Sequence, residues 1–146
     1  MTSLQAASPA MVLVDDDFYS ARLLTRMLAS YDAPAITVIA NADEALDQLS
    51  AIAAHTAPPA CTLVLVDLKS SSAATRDFVS RLTKAAPQLV VAAMAPTLDR
   101  DTRNALLDAG ASAVFERHAD HALYLREAAS IVSFWVRSQH LDAVGA

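Results

Sequence analysis

Five short apolar runs punctuate the chain: MVLV (11–14), AITVIA (35–40), CTLVLV (61–66), LVVAAMA (89–95) and ASAVF (111–115). Their β-branched residues and lack of polar alternation predict strands buried on both faces. The segments between them carry helical spacing instead. Leu23, Leu24, Met27 and Leu28 form one stripe over Phe18 to Ser30. Asn41 suits an N-cap, with Glu44 three residues on as its reciprocal partner and Leu46 and Leu49 inside. A third helix is expected over about 75–86, carrying Phe78, Val79 and Leu82 and stopped by Pro87. The fourth covers about 98–109, with Gly110 where a left-handed C-cap belongs. A long apolar helix closes the pattern over about 120–140. Strand and helix thus alternate five times, which implies a doubly wound α/β fold: a parallel sheet with helices on both faces.

Ligands of such sheets lie beyond the carboxyl ends of the strands, where strand order reverses. Here the first run ends on Asp15, Asp16 and Asp17, and the third on Asp67. These two strands are neighbours in a doubly wound sheet, so three or four carboxylates meet in one pocket. Uncompensated, their repulsion and desolvation cost on the order of several kcal/mol. A hard divalent cation removes that cost, and Mg²⁺ suits one or two carboxylates, retained waters and a phosphate oxygen. No Walker motif or GxGxxG is present to cradle a nucleotide. A phosphoryl group must then come from another donor.

Composition narrows the field. At 146 residues the chain fits one domain, expected over 11–140 with frayed ends at 1–10 and 141–146. It is 54% hydrophobic and 18% charged, a packed protein rather than a disordered one. A net charge of −5 and the lack of any Lys/Arg cluster argue against nucleic acid. No run approaches the roughly 20 apolar residues of a membrane span, and no secretory signal opens the chain. Cys61, the single cysteine, excludes an internal disulfide and reads as a buried thiol. A cytoplasmic protein is the expectation.

The motifs resemble those of response-regulator receiver domains of two-component signalling. MVLVDDD resembles the segment bearing the family's acidic pair, here Asp15 and Asp16, and LVLVDLK the segment bearing its phosphoacceptor, here Asp67. NADEAL at 41–46 and ALLDAGASAVF at 105–115 resemble the start of the second helix and the fourth helix with its following strand. The likeness spans about residues 11–135. It implies a flavodoxin-like sheet of order 2-1-3-4-5 and Mg²⁺ held by Asp15, Asp16 and Asp67. It also implies a phosphoryl group taken by Asp67 from a histidine kinase or phosphotransfer protein.

Four positions depart from the family pattern. The hydroxyl position after the fourth strand is Ala95, and the aromatic that normally toggles with it is Val114. Arg117 stands where the family has Lys, as a candidate phosphate contact that is bulkier and not equivalent. SSSAAT at 70–75 replaces a Pro- and Gly-containing loop, and reads as flexible with a serine N-cap for the third helix. Thr97 offers a hydroxyl if the register slips by two. Lys69 reads as a surface lysine, with replacement of the missing cation at the pocket rim as the alternative, and His118 and His121 read as solvated histidines.

The last helix has two readings. Leu125, Ala128, Ala129, Val132 and Trp135 or Val136 are expected to cover the sheet, leaving Tyr124, Ile131 and Phe134 over. They are either part of a broad buried face or, with Trp135, a homodimer surface. The expected function is a stand-alone response regulator acting through an unnamed protein partner. The alternative is a phosphorylation-independent receiver-like interaction and dimerisation module. An Asp-based phosphatase ranks last, because DLKSSS supplies no second acid beside Asp67.

Overall fold

A computed structural model describes residues 9–55 and 62–145. Cys61 and most of the expected N-terminal tail lie outside the described residues. The strands are β1 (Met11–Asp15), β2 (Ile36–Ile39), β3 (Leu63–Asp67), β4 (Val90–Ala95) and β5 (Ala113–Glu116). The helices are α1 (Phe18–Ala29), α2 (Ala42–His55), α3 (Ala74–Ala85), α4 (Arg100–Ala109) and α5 (His121–Gly145). All strand pairs are parallel, in the order β2-β1-β3-β4-β5, as expected.

The unbroken apolar runs are explained by a core on each side of the sheet. Successive side chains point to opposite faces. Val12, Val14, Val64 and Val66 accordingly meet Leu49 of α2, Phe78 and Leu82 of α3 and Leu106 of α4. Met11, Leu13, Leu63 and Leu65 meet Leu24 and Leu28 of α1 and Ile131 of α5. β1 and β3 are buried at every position. β2 departs from this rule: Thr37 and Val38 are exposed. An edge strand has only one neighbour and is covered on fewer sides, which apolar content alone does not reveal.

Local chemistry sets the helix ends. Asn41 Oδ1 accepts from Glu44 N at 2.9 Å, as the N-cap reading requires. Asp99 caps α4 by accepting from Thr102 N at 2.8 Å, moving its start two residues past the expected Leu98. Gly110 ends α4 at φ +121°, and a Cβ there would lie 2.5 Å from Thr83 Oγ1. The left-handed conformation and the close approach both require glycine. Within α1, Leu23 is exposed and Ala21 takes its place in the buried stripe.

Candidate functional site

Parallel pairing brings the two acid-tipped strands into one register, with Asp15 opposite Asp67. Both carboxylates are fully withdrawn from solvent. Asp15 Oδ1 accepts from Asp17 N at 2.9 Å, and Asp17 turns outward as the N-cap of α1, accepting from Tyr19 N and Ser20 N. The acidic triplet is thereby divided: one residue enters the pocket, one starts a helix, and Asp16 reaches across to the β3–α3 loop. There Asp16 Oδ1 accepts from Lys69 N at 2.9 Å and Oδ2 from Ser70 N at 3.1 Å.

Two cations complete the cluster. Of its two readings, Lys69 takes the pocket-side one and does not lie free on the surface. Its Nζ donates to Asp15 Oδ1 at 2.7 Å and to the Asp67 carbonyl at 2.9 Å, and sits 3.1 Å from Asp67 Oδ2. Arg117, just past β5, pairs through Nη1 with Asp67 Oδ1, while its own N–H donates to the Ala95 carbonyl at 2.7 Å. Asp15 and Asp67 are therefore matched by one ammonium and one guanidinium. Burial pushes the Asp67 carboxyl above the ordinary carboxylate range, against the opposing pull of Lys69 and Arg117. Asp15 Oδ2 and Asp67 Oδ2 remain buried without a hydrogen-bond partner.

The β3–α3 loop is fastened rather than loose. Thr75 Oγ1 accepts from Leu68 N at 2.9 Å and lies 3.1 Å from the Leu68 carbonyl, closing residues 68–75 into a clasp. Ala73 is the N-cap of α3 and makes no side-chain cap bond, so the expected serine cap is absent. The signal missed in the sequence was Thr75, counted there only as the first residue of a helix.

A cavity of about 610 Å³ lies between this loop and the start of α4, lined by Lys69, Ser71, Ser72, Thr97 and Arg117 among others. Ala95 borders it and brings no hydroxyl. Val114, one strand away, is buried in the opposite core from Phe115. Phe115 packs edge-on against Phe134 with ring centroids 6.0 Å apart.

α5 covers the sheet with the expected Ala128 and Val132 buried and Leu125 and Trp135 packed against the core, and its buried face is broader than that stripe. Tyr124, Ala128, Ile131 and Val132 are buried, and Phe134 and Trp135 pack half-buried against the same core. Tyr124 and Ile131 are therefore unavailable as a self-association surface, while of the alternatives Trp135 or Val136 expected inside it is Trp135 that packs against the core and Val136 that is 52% exposed. Burial raises the Tyr124 phenol well above its ordinary value, and its hydroxyl has no partner. His118 is not freely solvated either: it lies between Glu116 and Glu127, at 3.4 and 3.8 Å. Among the described residues, no helix is long and apolar enough to cross a membrane.

No family model and no curated protein sequence matches the chain. Solved structures do. A response regulator receiver domain from Rhodospirillum rubrum superposes with TM-score 0.70 at 16% identity, covering 87% of this chain and 93% of its own. A response regulator from Hahella chejuensis gives 0.69 at 20% identity, with 88% and 96% covered. The Mn²⁺-bound form of response regulator Rcp1 gives 0.67 at 15% identity, with 87% and 94% covered. The sheet order, the helices on both faces and these superpositions together establish that the chain has the fold of response-regulator receiver domains.

Proposed function

We propose that the chain is a receiver-type signalling regulator that accepts a phosphoryl group on Asp67 from the phosphohistidine of a kinase or phosphotransfer protein. The observation that carries this reading is the placement of the Asp67 carboxylate. It tips a central strand, faces Asp15 in register and is held by Arg117 from the end of β5. In the transfer, an Asp67 carboxylate oxygen forms the new O–P bond as the donor P–N bond breaks. The electron pair of that bond leaves with the imidazole nitrogen. Lys69 and Arg117 line the cavity beside the acceptor. A phosphoryl group arriving there meets two donors for its oxygens, and Arg117 can pass from carboxylate to phosphoryl oxygen by a side-chain rotation.

The donor set suits a divalent cation in its chemistry. Asp15 Oδ2 and Asp67 Oδ2 are buried carboxylate oxygens with no hydrogen-bond partner, whereas both Asp16 oxygens are taken by the Lys69 and Ser70 amides, so among the described residues no three acids are gathered as they stand into a metal site. Bound by Asp15, Asp16 and Asp67, Mg²⁺ would supply charge neutralisation for the phosphoryl oxygens. With Ala95 in place of a hydroxyl, the phosphorylated form loses one charge-assisted hydrogen bond, worth roughly 1.5–3 kcal/mol. A smaller conformational response than in a hydroxyl-bearing receiver follows.

Incubation with Mg²⁺ and phosphoramidate or acetyl phosphate should add the mass of one phosphoryl group, and Asp67→Asn should abolish the gain. No mass gain in protein that retains its circular dichroism spectrum would overturn the acceptor reading. It would favour a phosphorylation-independent interaction module. One observation already speaks for that second reading: Lys69 and Arg117 balance the two buried acids without any ligand.

A further inference from the structure

We infer that Lys69 is the resident cation of the acidic pocket, and that a divalent metal enters only by displacing it. The inference rests on the metal part of the preceding reading and not on phosphoryl transfer. Lys69 Nζ has three oxygens around it, from Asp15 Oδ1, the Asp67 carbonyl and Asp67 Oδ2, at 2.7, 2.9 and 3.1 Å. Two of its three N–H donors are used by Asp15 Oδ1 and the Asp67 carbonyl, and Asp67 Oδ2 adds an ion-pair contact without a hydrogen bond. The side chain is only 21% exposed.

The segment that carries Lys69 is fixed at both ends. Asp16 holds the backbone N–H groups of Lys69 and Ser70, and the Thr75 clasp holds Leu68. Asp16, a natural metal ligand, is thus occupied in presenting the lysine. A magnesium ion needs carboxylate oxygens at about 2.0–2.1 Å, whereas the ammonium already sits at hydrogen-bond distance from the same two acids. A metal on Asp15 Oδ2 and Asp67 Oδ2 would lie against the ammonium that pairs with the same two carboxylates, and two cations so placed repel each other strongly. Metal binding therefore requires Lys69 to swing into the adjoining cavity and Asp16 to release the loop amides.

Mn²⁺ titration followed by loss of the free-ion electron paramagnetic resonance signal tests this on the full chain. Lys69→Ala should bind Mn²⁺ at least about tenfold more tightly than the wild type, the effect of removing roughly one competing charge. Lys69→Gln should do the same, and it covers the case in which the alanine variant fails to fold. Adding Asp15→Asn to either variant should remove the gain, placing the ion in this pocket. Without metal, Lys69→Ala should melt below the wild type, and Mg²⁺ should recover the difference. Equal Mn²⁺ affinity in wild type and both Lys69 variants would overturn the exchange and leave the metal reading standing. No binding by any of them would overturn both, while the phosphoryl mass gain tests the acceptor separately.

Discussion

The two halves of the pocket differ in kind. At the ends of β1 and β3 two fully buried acids are held by charge, with Lys69 and Arg117 as counter-ions and Asp16 bracing the loop. At the ends of β4 and β5 the corresponding interior positions, Ala95 and Val114, are apolar and buried at 2% and 7% exposure. The first half is expensive to build, because buried charge is tolerated only when closely paired. The second costs nothing electrostatically and has no polar group to rearrange. In this molecule the charged and the apolar sides of the pocket are thus located on different strands.

Arg117 spans the two halves, since it directly follows β5 in sequence and pairs with Asp67 by contact. Arg117→Met should therefore produce the largest effect on stability. It leaves Asp67 with Lys69 as its sole counter-ion. Breaking a buried pair costs about 3–5 kcal/mol, but the guanidinium is partly exposed and Lys69 remains, so a loss of about 1–3 kcal/mol is expected. Urea unfolding measures it. If Arg117→Met is as stable as the wild type, the charge on the β1–β3 side is balanced without β5, and the two halves are independent.

Ala95→Ser would give the apolar half what it lacks. Ala95 already borders the cavity, so a hydroxyl has room without disturbing the core behind it. If Asp67 is an acceptor, the new donor should lengthen the lifetime of the phosphorylated form by about tenfold, the value of one hydrogen bond to a charged oxygen. Decay of the phosphoryl mass gain after removal of the donor reads this directly. An unchanged lifetime would mean that a bound phosphoryl group does not reach β4.

How much of this was legible in the sequence follows the same division. Backbone pairing is local in its causes: unbroken apolar runs, an Asn41 cap and a Gly110 stop announce strands and helix ends. The meeting of Asp15 and Asp67 follows from the parallel register alone. Long side chains are different. Lys69 lies two residues from Asp67, and nothing in a run of polar residues says whether its ammonium turns inward. Only the pairing of two uncompensated buried acids decides it. The clasp made by Thr75 was hidden for a similar reason, because a threonine at a helix start is usually read for its local role. On α5 the expected stripe of Leu125, Ala128, Val132 and Trp135 does face the core, but with so many apolar residues around the helix, periodicity left open how broad the buried face is. The contacts of Tyr124 and Ile131 with the sheet settle that face.

Tyr124 gives the smallest expected effect and a sharp test of where charge stops. Its ring fills the core on the α1 and α5 side, and its hydroxyl is buried with no partner, close enough to Asp67 and Asp15 for their charges to raise its pKa further. An unsatisfied buried hydroxyl carries its desolvation cost with no compensating bond, so Tyr124→Phe should be neutral or stabilising by up to about 1 kcal/mol. The ring contacts are kept in that substitution, which isolates the hydroxyl. Destabilisation beyond about 1 kcal/mol would show that the phenol donates to the acidic cluster in solution. The charged half of the pocket would then extend beneath β5 into the core that α5 covers, and the boundary with the apolar half would run along Val114 rather than along the whole strand.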